Sequence, residues 1–264
     1  MKIGFLGCGN MARAMIGGIL REDLCRPEEI MASNATDASC RKNQEELGIR
    51  TTRDNRKVCK FADILVLSVK PQYFGDLIPQ IRDSVKKDQL IISIAPGKTL
   101  AWLEQNFLKK LKTIRCMPNT PALVGEGMTG FCCNDLVTEE DEALALTILS
   151  SFGKAQKVTE NQIDAVVGVS GSSPAYAFMM IEAMADGAVA AGMARKDAYL
   201  FAAQALLGSA KMVLETGKHP GELKDMVCST AGTTIAAVRV LEEKGFRSGL
   251  MEAMAACVEK SRSM

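Results

Sequence analysis

An α/β fold followed by an all-helical half is predicted by three observations. Up to about residue 158, short apolar runs rich in Ile, Leu and Val alternate with helical stretches. The chain enters the first run at Ile3 and leaves it through a glycine turn into a helix-forming segment. From Asn161 onward the strand signals stop, and Ala, Met, Leu and Glu recur at helical spacing. A length of 264 residues suits two modest domains, placed at 1–158 and 159–264.

The elements of the first half follow in order. The strand Ile3–Gly7 runs into Gly7-x-Gly9-x-x-Ala12, and Arg13–Ile16 continues as a helix. A dinucleotide pyrophosphate asks for this arrangement. Gly7 permits the tight turn, Gly9 lets the backbone approach the phosphates, and Ala12 lets helix and strand pack closely. The helix start offers its unpaired N–H groups to the anion. The next run, Ile30–Ser33, leads into Asn34, where an NAD-binding chain carries an acidic residue for the ribose hydroxyls. Ser33 and Asn34, with Arg41 and Lys42 beyond, suit a ribose phosphate better. NADP is therefore expected, with NAD the weaker ligand. The plainer alternative is that Asn34 only caps a helix beginning near Asp37, and the two roles are compatible.

Further apolar runs at Ile64–Val69, Leu90–Ile94, Thr113–Met117 and Met128–Cys132 are separated by helices such as Leu100–Leu111 and Glu139–Phe152. Together they predict a parallel, doubly wound, Rossmann-type sheet. Ligands of such sheets lie beyond the strand C-termini. The turns Gly7–Met11, Ser68–Gln72, Ala95–Gly97 and Met117–Pro121 are accordingly where a site is expected.

Composition narrows the function. The 32 basic and 31 acidic side chains are scattered, which argues against a nucleic-acid partner. Arg53, Arg56, Lys57 and Lys60 read as a solvated helix face. No membrane span is expected, because Glu182 and Asp186 interrupt the most apolar region. The N-terminus runs straight into a strand, so no signal peptide is expected and the setting reads as cytoplasmic. Nine cysteines include no C-x-x-C pair, and there is a single histidine. No metal site is expected, and the thiols read as reduced and mostly buried. His219, just before Pro220, reads as a cap or surface residue rather than a catalyst.

In the second half, Pro174–Gly192, Lys196–Glu215, Ile235–Lys244 and Leu250–Ser261 read as helices. Several are apolar around much of their circumference, as in Ala175–Met184 and Ala198–Met212. Such helices must be covered on several sides, which predicts dimerisation through this half. Two polar loops open helices here: Val169-Ser170-Gly171-Ser172-Ser173-Pro174 and Cys228-Ser229-Thr230-Ala231-Gly232-Thr233-Thr234. Each offers hydroxyls and N–H groups to an anion such as a carboxylate. Ordinary capping by Ser173 and Thr233, with Pro174 at the first helical position, would explain one hydroxyl per loop but not several.

With these motifs in view, the chain resembles the pyrroline-5-carboxylate reductase family nearly end to end. The glycine turn, Val69-Lys70-Pro71, Arg115 through Pro121 and Gly171 through Tyr176 carry the resemblance. The run from His219 to Asp225, continuing through Cys228 to Thr234, carries it most specifically. Ala231-Gly232 stands where some members have Gly-Gly, a departure expected to leave the turn intact.

The resemblance implies NADPH-dependent reduction of 1-pyrroline-5-carboxylate to L-proline, the last step of proline synthesis. It implies a cofactor surrounded by Leu6, Gly7, Cys8, Gly9, Asn10, Met11, Asn34, Asn55, Ser68, Val69, Lys70 and Pro71. Asn119 is counted with them. Ser229, Thr230, Gly232, Thr233 and Thr234 are implied around the substrate, the last two closest to its carboxylate. A homo-oligomer is implied, a dimer or a ring of dimers, whose partner subunit's cofactor meets that loop.

A protonated cyclic imine is a good hydride acceptor, so the demand on the protein is mainly positioning. Neither loop offers a strong acid. The proton is expected to arrive with the substrate, through water, or from the hydroxyl of Thr234, with Ser172 the weaker candidate. A 3-hydroxyacid dehydrogenase would want a catalytic lysine early in the second half, yet no Lys or Arg lies between Lys157 and Arg195. A reductase of another cyclic imine and a non-catalytic NADP-sensing protein are the remaining alternatives.

Overall fold

The computed structural model describes residues 1–263. One eight-stranded sheet has the order β3-β2-β1-β4-β5-β6-β7-β8. Its strands are β1 (Ile3–Leu6), β2 (Ile30–Ser33), β3 (Arg50–Thr52), β4 (Ile64–Leu67), β5 (Leu90–Ser93), β6 (Lys112–Met117), β7 (Gly127–Cys133) and β8 (Gly153–Lys157). Between them run α1 (Asn10–Arg21), α2 (Asp37–Leu47), α3 (Asn55–Phe61), α4 (Phe74–Ile81), α5 (Leu100–Phe107) and α6 (Glu139–Ser150).

β1, β4 and β5 are almost wholly apolar because both of their faces are covered. Ile3, Phe5, Ile64, Val66, Leu90 and Ile92 join Met15 and Ile16 of α1 and Ile148 and Leu149 of α6 in one core. Leu6, Leu65, Leu67 and Ile91 point the other way, to Val58 of α3, Ile78 of α4 and Leu103 of α5. That alternation makes the sheet doubly wound. β1 pairs in parallel with β2 on one side and β4 on the other, and Leu6 stands level with Ser33 and Leu67. Three strand ends therefore open on the same crevice, at the point where the strand order reverses.

The structure departs from the sequence expectation in three places. β3 and β8 are polar edge strands with no apolar run, so the hydrophobic pattern passes over them. β7 runs antiparallel to β6, so the sheet is not wholly parallel. Only a short 3₁₀ turn, Thr120–Val124, joins those two strands, whereas a parallel return needs a crossover of roughly a dozen residues. Finally, Val169–Gly171 is no loop. It lies in a π-helical turn, Val167–Gly171, between α7 (Ile163–Val166) and α8 (Ser173–Ala190).

Contacts group Met1–Ser172 with the residues from Cys257 onward as one unit, and Ser173–Ala256 as another. The second unit holds α8, α9 (Arg195–Thr216), α10 (Pro220–Val227), α11 (Thr233–Glu243) and most of α12 (Phe246–Arg262). α8 and α9 meet through small residues, with Ala185, Ala198 and Ala202 buried. Phe178, Met179, Leu200, Phe201 and Leu207 are exposed on the same pair. These are the apolar faces that a lone chain leaves uncovered. Among the described residues, no helix is long and apolar enough to cross a membrane.

Candidate functional site: a nucleotide crevice and a hydroxyl loop

A cleft of about 650 Å³ lies beyond the ends of β1, β2 and β4. Its floor is the glycine turn. Gly7 takes φ +93°, and a Cβ there would fall 2.8 Å from Val69 Cγ1 and 3.1 Å from Val69 N. Its N–H donates to Ser33 Oγ at 3.2 Å, and its carbonyl accepts from Ser68 Oγ at 2.7 Å. Two serines from neighbouring strand ends thus clamp the turn. Gly9 caps α1 by backbone alone, with no side-chain hydrogen bond, and a Cβ on it would meet nothing within 4 Å. The first N–H groups of α1 therefore face an open space that suits an anion.

The cleft wall at the end of β2 is polar. Asn34 is not a helix cap: Thr36 caps α2, its Oγ1 accepting from Ser39 N at 3.2 Å. The backbone N–H of Asn34 donates to Thr52 O at 3.0 Å, and its Oδ1 accepts from Asn43 Nδ2 at 2.8 Å. Its Nδ2 is buried and has no partner. A buried donor without an acceptor is costly, and a ligand oxygen would satisfy it. Asp37, the one acidic residue close by in sequence, is ion-paired with Arg53 at 3.4 Å and lies outside the cleft lining.

The cleft gathers most of the residues implied around a cofactor: Gly7, Cys8, Gly9, Asn10, Asn34, Asn55, Ser68, Val69 and Lys70. Leu6, Met11, Pro71 and Asn119 are not in its lining. Leu6 is fully buried in the sheet core, and Pro71 begins a 3₁₀ turn, Pro71–Tyr73. Asn119 is a strut within the fold, its Nδ2 donating to Ser170 O at 3.0 Å and its Oδ1 accepting from Met128 N at 2.8 Å. Arg13, Ser39, Asn43 and Tyr73 carry no motif signal and Arg53 has the pattern of a solvated residue, yet all five line the cleft. Arg13 sits one turn past Asn10 on α1, so helical spacing was the available signal.

Burial pushes the Cys8 thiol up to about 11 and those of Cys59 and Cys132 up to about 12. Cys8 therefore stays protonated near neutral pH and adds no negative charge to an anion site. All nine cysteines are free. His219 caps α10, its Nδ1 accepting from Gly221 N at 3.0 Å, as the sequence suggested.

The two polar segments of the second half differ. Around Ser172 the chain is wound: Ser170 Oγ donates to Val166 O at 3.0 Å, and Ser172 N donates to Val167 O at 2.8 Å. Backbone N–H groups there are consumed by the π-turn rather than presented to an anion. Ser172 Oγ lies 3.0 Å from Cys257 Sγ. The second segment is a true loop between α10 and α11. α11 begins at Thr233 with Gly232 as its cap and no side-chain cap bond. Thr233 is thus not the cap, and its hydroxyl is not used in that way. Ala231 carries φ +55°, unusual for a residue with a Cβ.

Residues 2–97 match a family model described as NADP oxidoreductase, coenzyme F420-dependent, and residues 160–264 one described as pyrroline-5-carboxylate reductase dimerisation. The chain is 52% identical to the pyrroline-5-carboxylate reductase of Escherichia coli (strain K12), over 100% of this chain and 98% of that protein. The chain belongs to the pyrroline-5-carboxylate reductase family. Solved structures agree. The pyrroline-5-carboxylate reductase of Coxiella burnetii matches with a TM-score of 0.91 at 35% identity, covering 99% of this chain and 97% of that one. A Plasmodium falciparum pyrroline carboxylate reductase with NADP bound also matches at 0.91, with 29% identity over 100% and 97% of the two chains. The dimerisation model fits the uncovered apolar faces of α8 and α9, which favour a homo-oligomer.

Proposed function

We propose that this chain reduces 1-pyrroline-5-carboxylate to L-proline, with NADPH as its reductant, in the cytoplasm. The observation that carries the reading is the whole-length likeness to pyrroline-5-carboxylate reductases in a chain whose crevice suits a dinucleotide. NADPH, when bound, supplies the hydride that the imine carbon accepts.

The protein's own part is to bind, orient and exclude water. The uncapped start of α1 and the turn at Gly7–Gly9 take the pyrophosphate. Asn34 Nδ2 and the cations Lys42 and Arg53 take the ribose phosphate. Ser229, Thr230, Gly232, Thr233 and Thr234 take the substrate carboxylate at the start of α11. Ser229, Thr230 and Thr233 are exposed and Thr234 is half-buried, so their hydroxyls are open to a ligand. Thr234 and, less directly, Ser172 are the hydroxyls proposed near the reacting nitrogen. A dimer built through the second unit brings each such loop to the partner's cofactor.

A mixture of purified chain, NADPH and pyrroline-5-carboxylate should lose NADPH absorbance and gain proline. No loss beyond the enzyme-free blank refutes the activity, and tight NADP binding without turnover would favour a sensing protein instead. A second measurement addresses the ribose. Asn34→Asp places a carboxylate where the orphan donor stands, so the KM for NADPH should rise by tenfold or more and that for NADH by much less. An equal rise in both would remove Asn34 from the phosphate site.

A further inference from the structure

The cleft wall contains a hydrogen-bond relay whose directions are set by chemistry. A guanidinium only donates, so the Arg13 Nη1 contact with Asn43 fixes the oxygen of the Asn43 amide toward Arg13. Asn43 must then turn its Nδ2 the other way, to Asn34 Oδ1 at 2.8 Å and Cys8 O at 3.4 Å. Asn34 in turn must keep its oxygen toward Asn43, which leaves its Nδ2 as the free end of the chain of bonds. The relay is held from both sides. Arg13 is ion-paired with Glu46, three residues beyond Asn43 on α2, and Asn43 is only 4% exposed.

We propose that Arg13 and Asn43 are positioning residues that hold the Asn34 amide with its NH₂ toward the ligand, and so make this cleft favour a ribose 2′-phosphate over a ribose hydroxyl. An asparagine without such a constraint presents either end, and its oxygen would accept from a hydroxyl but repel a phosphate. The nearby cations Lys42 and Arg53 attract any anion. The relay adds a further donor, one whose direction the fold itself fixes. This inference rests on the NADP reading above and assigns its selectivity to two residues that act through the Asn34 amide.

Asn43→Asp reverses the relay. A carboxylate still accepts from Arg13 but demands a donor from Asn34, whose amide then turns its oxygen outward. Calorimetric titration of the full chain with NADP⁺ and NAD⁺ should show the ratio of the two dissociation constants moving at least tenfold toward NAD⁺. Asn43→Leu, which leaves the Asn34 amide unconstrained, should move it in the same direction by less. In the unsubstituted chain, the Asn34 side-chain NH₂ resonance should shift on adding adenosine 2′-phosphate and stay in place with adenosine. Equal weakening of both nucleotides in the variants, or an Asn34 resonance indifferent to the phosphate, overturns the relay. A wild-type chain that binds NADP⁺ no tighter than NAD⁺ overturns the cofactor reading itself.

Discussion

A Gly9→Val variant is expected to fold with stability within about 1 kcal/mol of the parent and to bind NADPH about a hundredfold more weakly. The extended backbone at Gly9, φ −84° and ψ −171°, accepts a side chain, and the space around its Cβ position is open. That opening is where the first N–H groups of α1 face outward. A valine there keeps a phosphate from reaching them, and each hydrogen bond to a charged oxygen that is lost is worth roughly 1.5–3 kcal/mol. Gly7→Ala supplies the contrast. With φ +93° and the backbone of Val69 about 3 Å away, it should lose roughly 2–4 kcal/mol of stability as well. Thermal unfolding beside nucleotide titration separates the two effects. A Gly9 variant that keeps full affinity would move the pyrophosphate off α1.

The second large effect belongs to the hydroxyl loop. Thr234→Val preserves shape at the second position of α11 and removes one hydroxyl from a half-buried site. No hydrogen bond among the described residues depends on that hydroxyl, so folding should be indifferent to its loss. A bond to a carboxylate is worth about 1.5–3 kcal/mol, which corresponds to roughly 10–150-fold in kcat/KM for pyrroline-5-carboxylate. The loss should fall on that substrate, with the affinity for NADPH held. Unchanged kcat/KM would place the carboxylate elsewhere, and equal losses for both ligands would mean general damage to the helix start.

These two sites were legible in the residues to different degrees, for physical reasons. The crevice at β1 announces itself because phosphate binding needs glycines at fixed spacing between a strand and a helix, and Gly7, Gly9 and Ala12 stand in that order. The buried strands β1, β4 and β5 were equally plain, since cover on both faces demands unbroken apolar runs. What pattern reading missed was long-range or polar. Asn43 lies on α2 and meets Arg13 and Asn34 only once the sheet has formed. β3 and β8 owe their place to pairing at an edge rather than to side-chain burial. Gly171 and its serines are helix-poor residues and so predict a loop before α8, but Ser170 completes its own bond to Val166 within a π-turn. Asn34, suspected as a cap, was released from that role by Thr36.

Ala231 carries a consequence of its own. With φ +55°, it occupies a conformation that glycine adopts freely and that asparagine and aspartate tolerate, whereas branched side chains clash with their own backbone. Evolutionary drift at this position should therefore be narrow in kind yet indifferent to bulk outside the turn. A descendant that acquired valine or isoleucine there would have to reshape the approach to α11 before it could inherit the ancestral specificity.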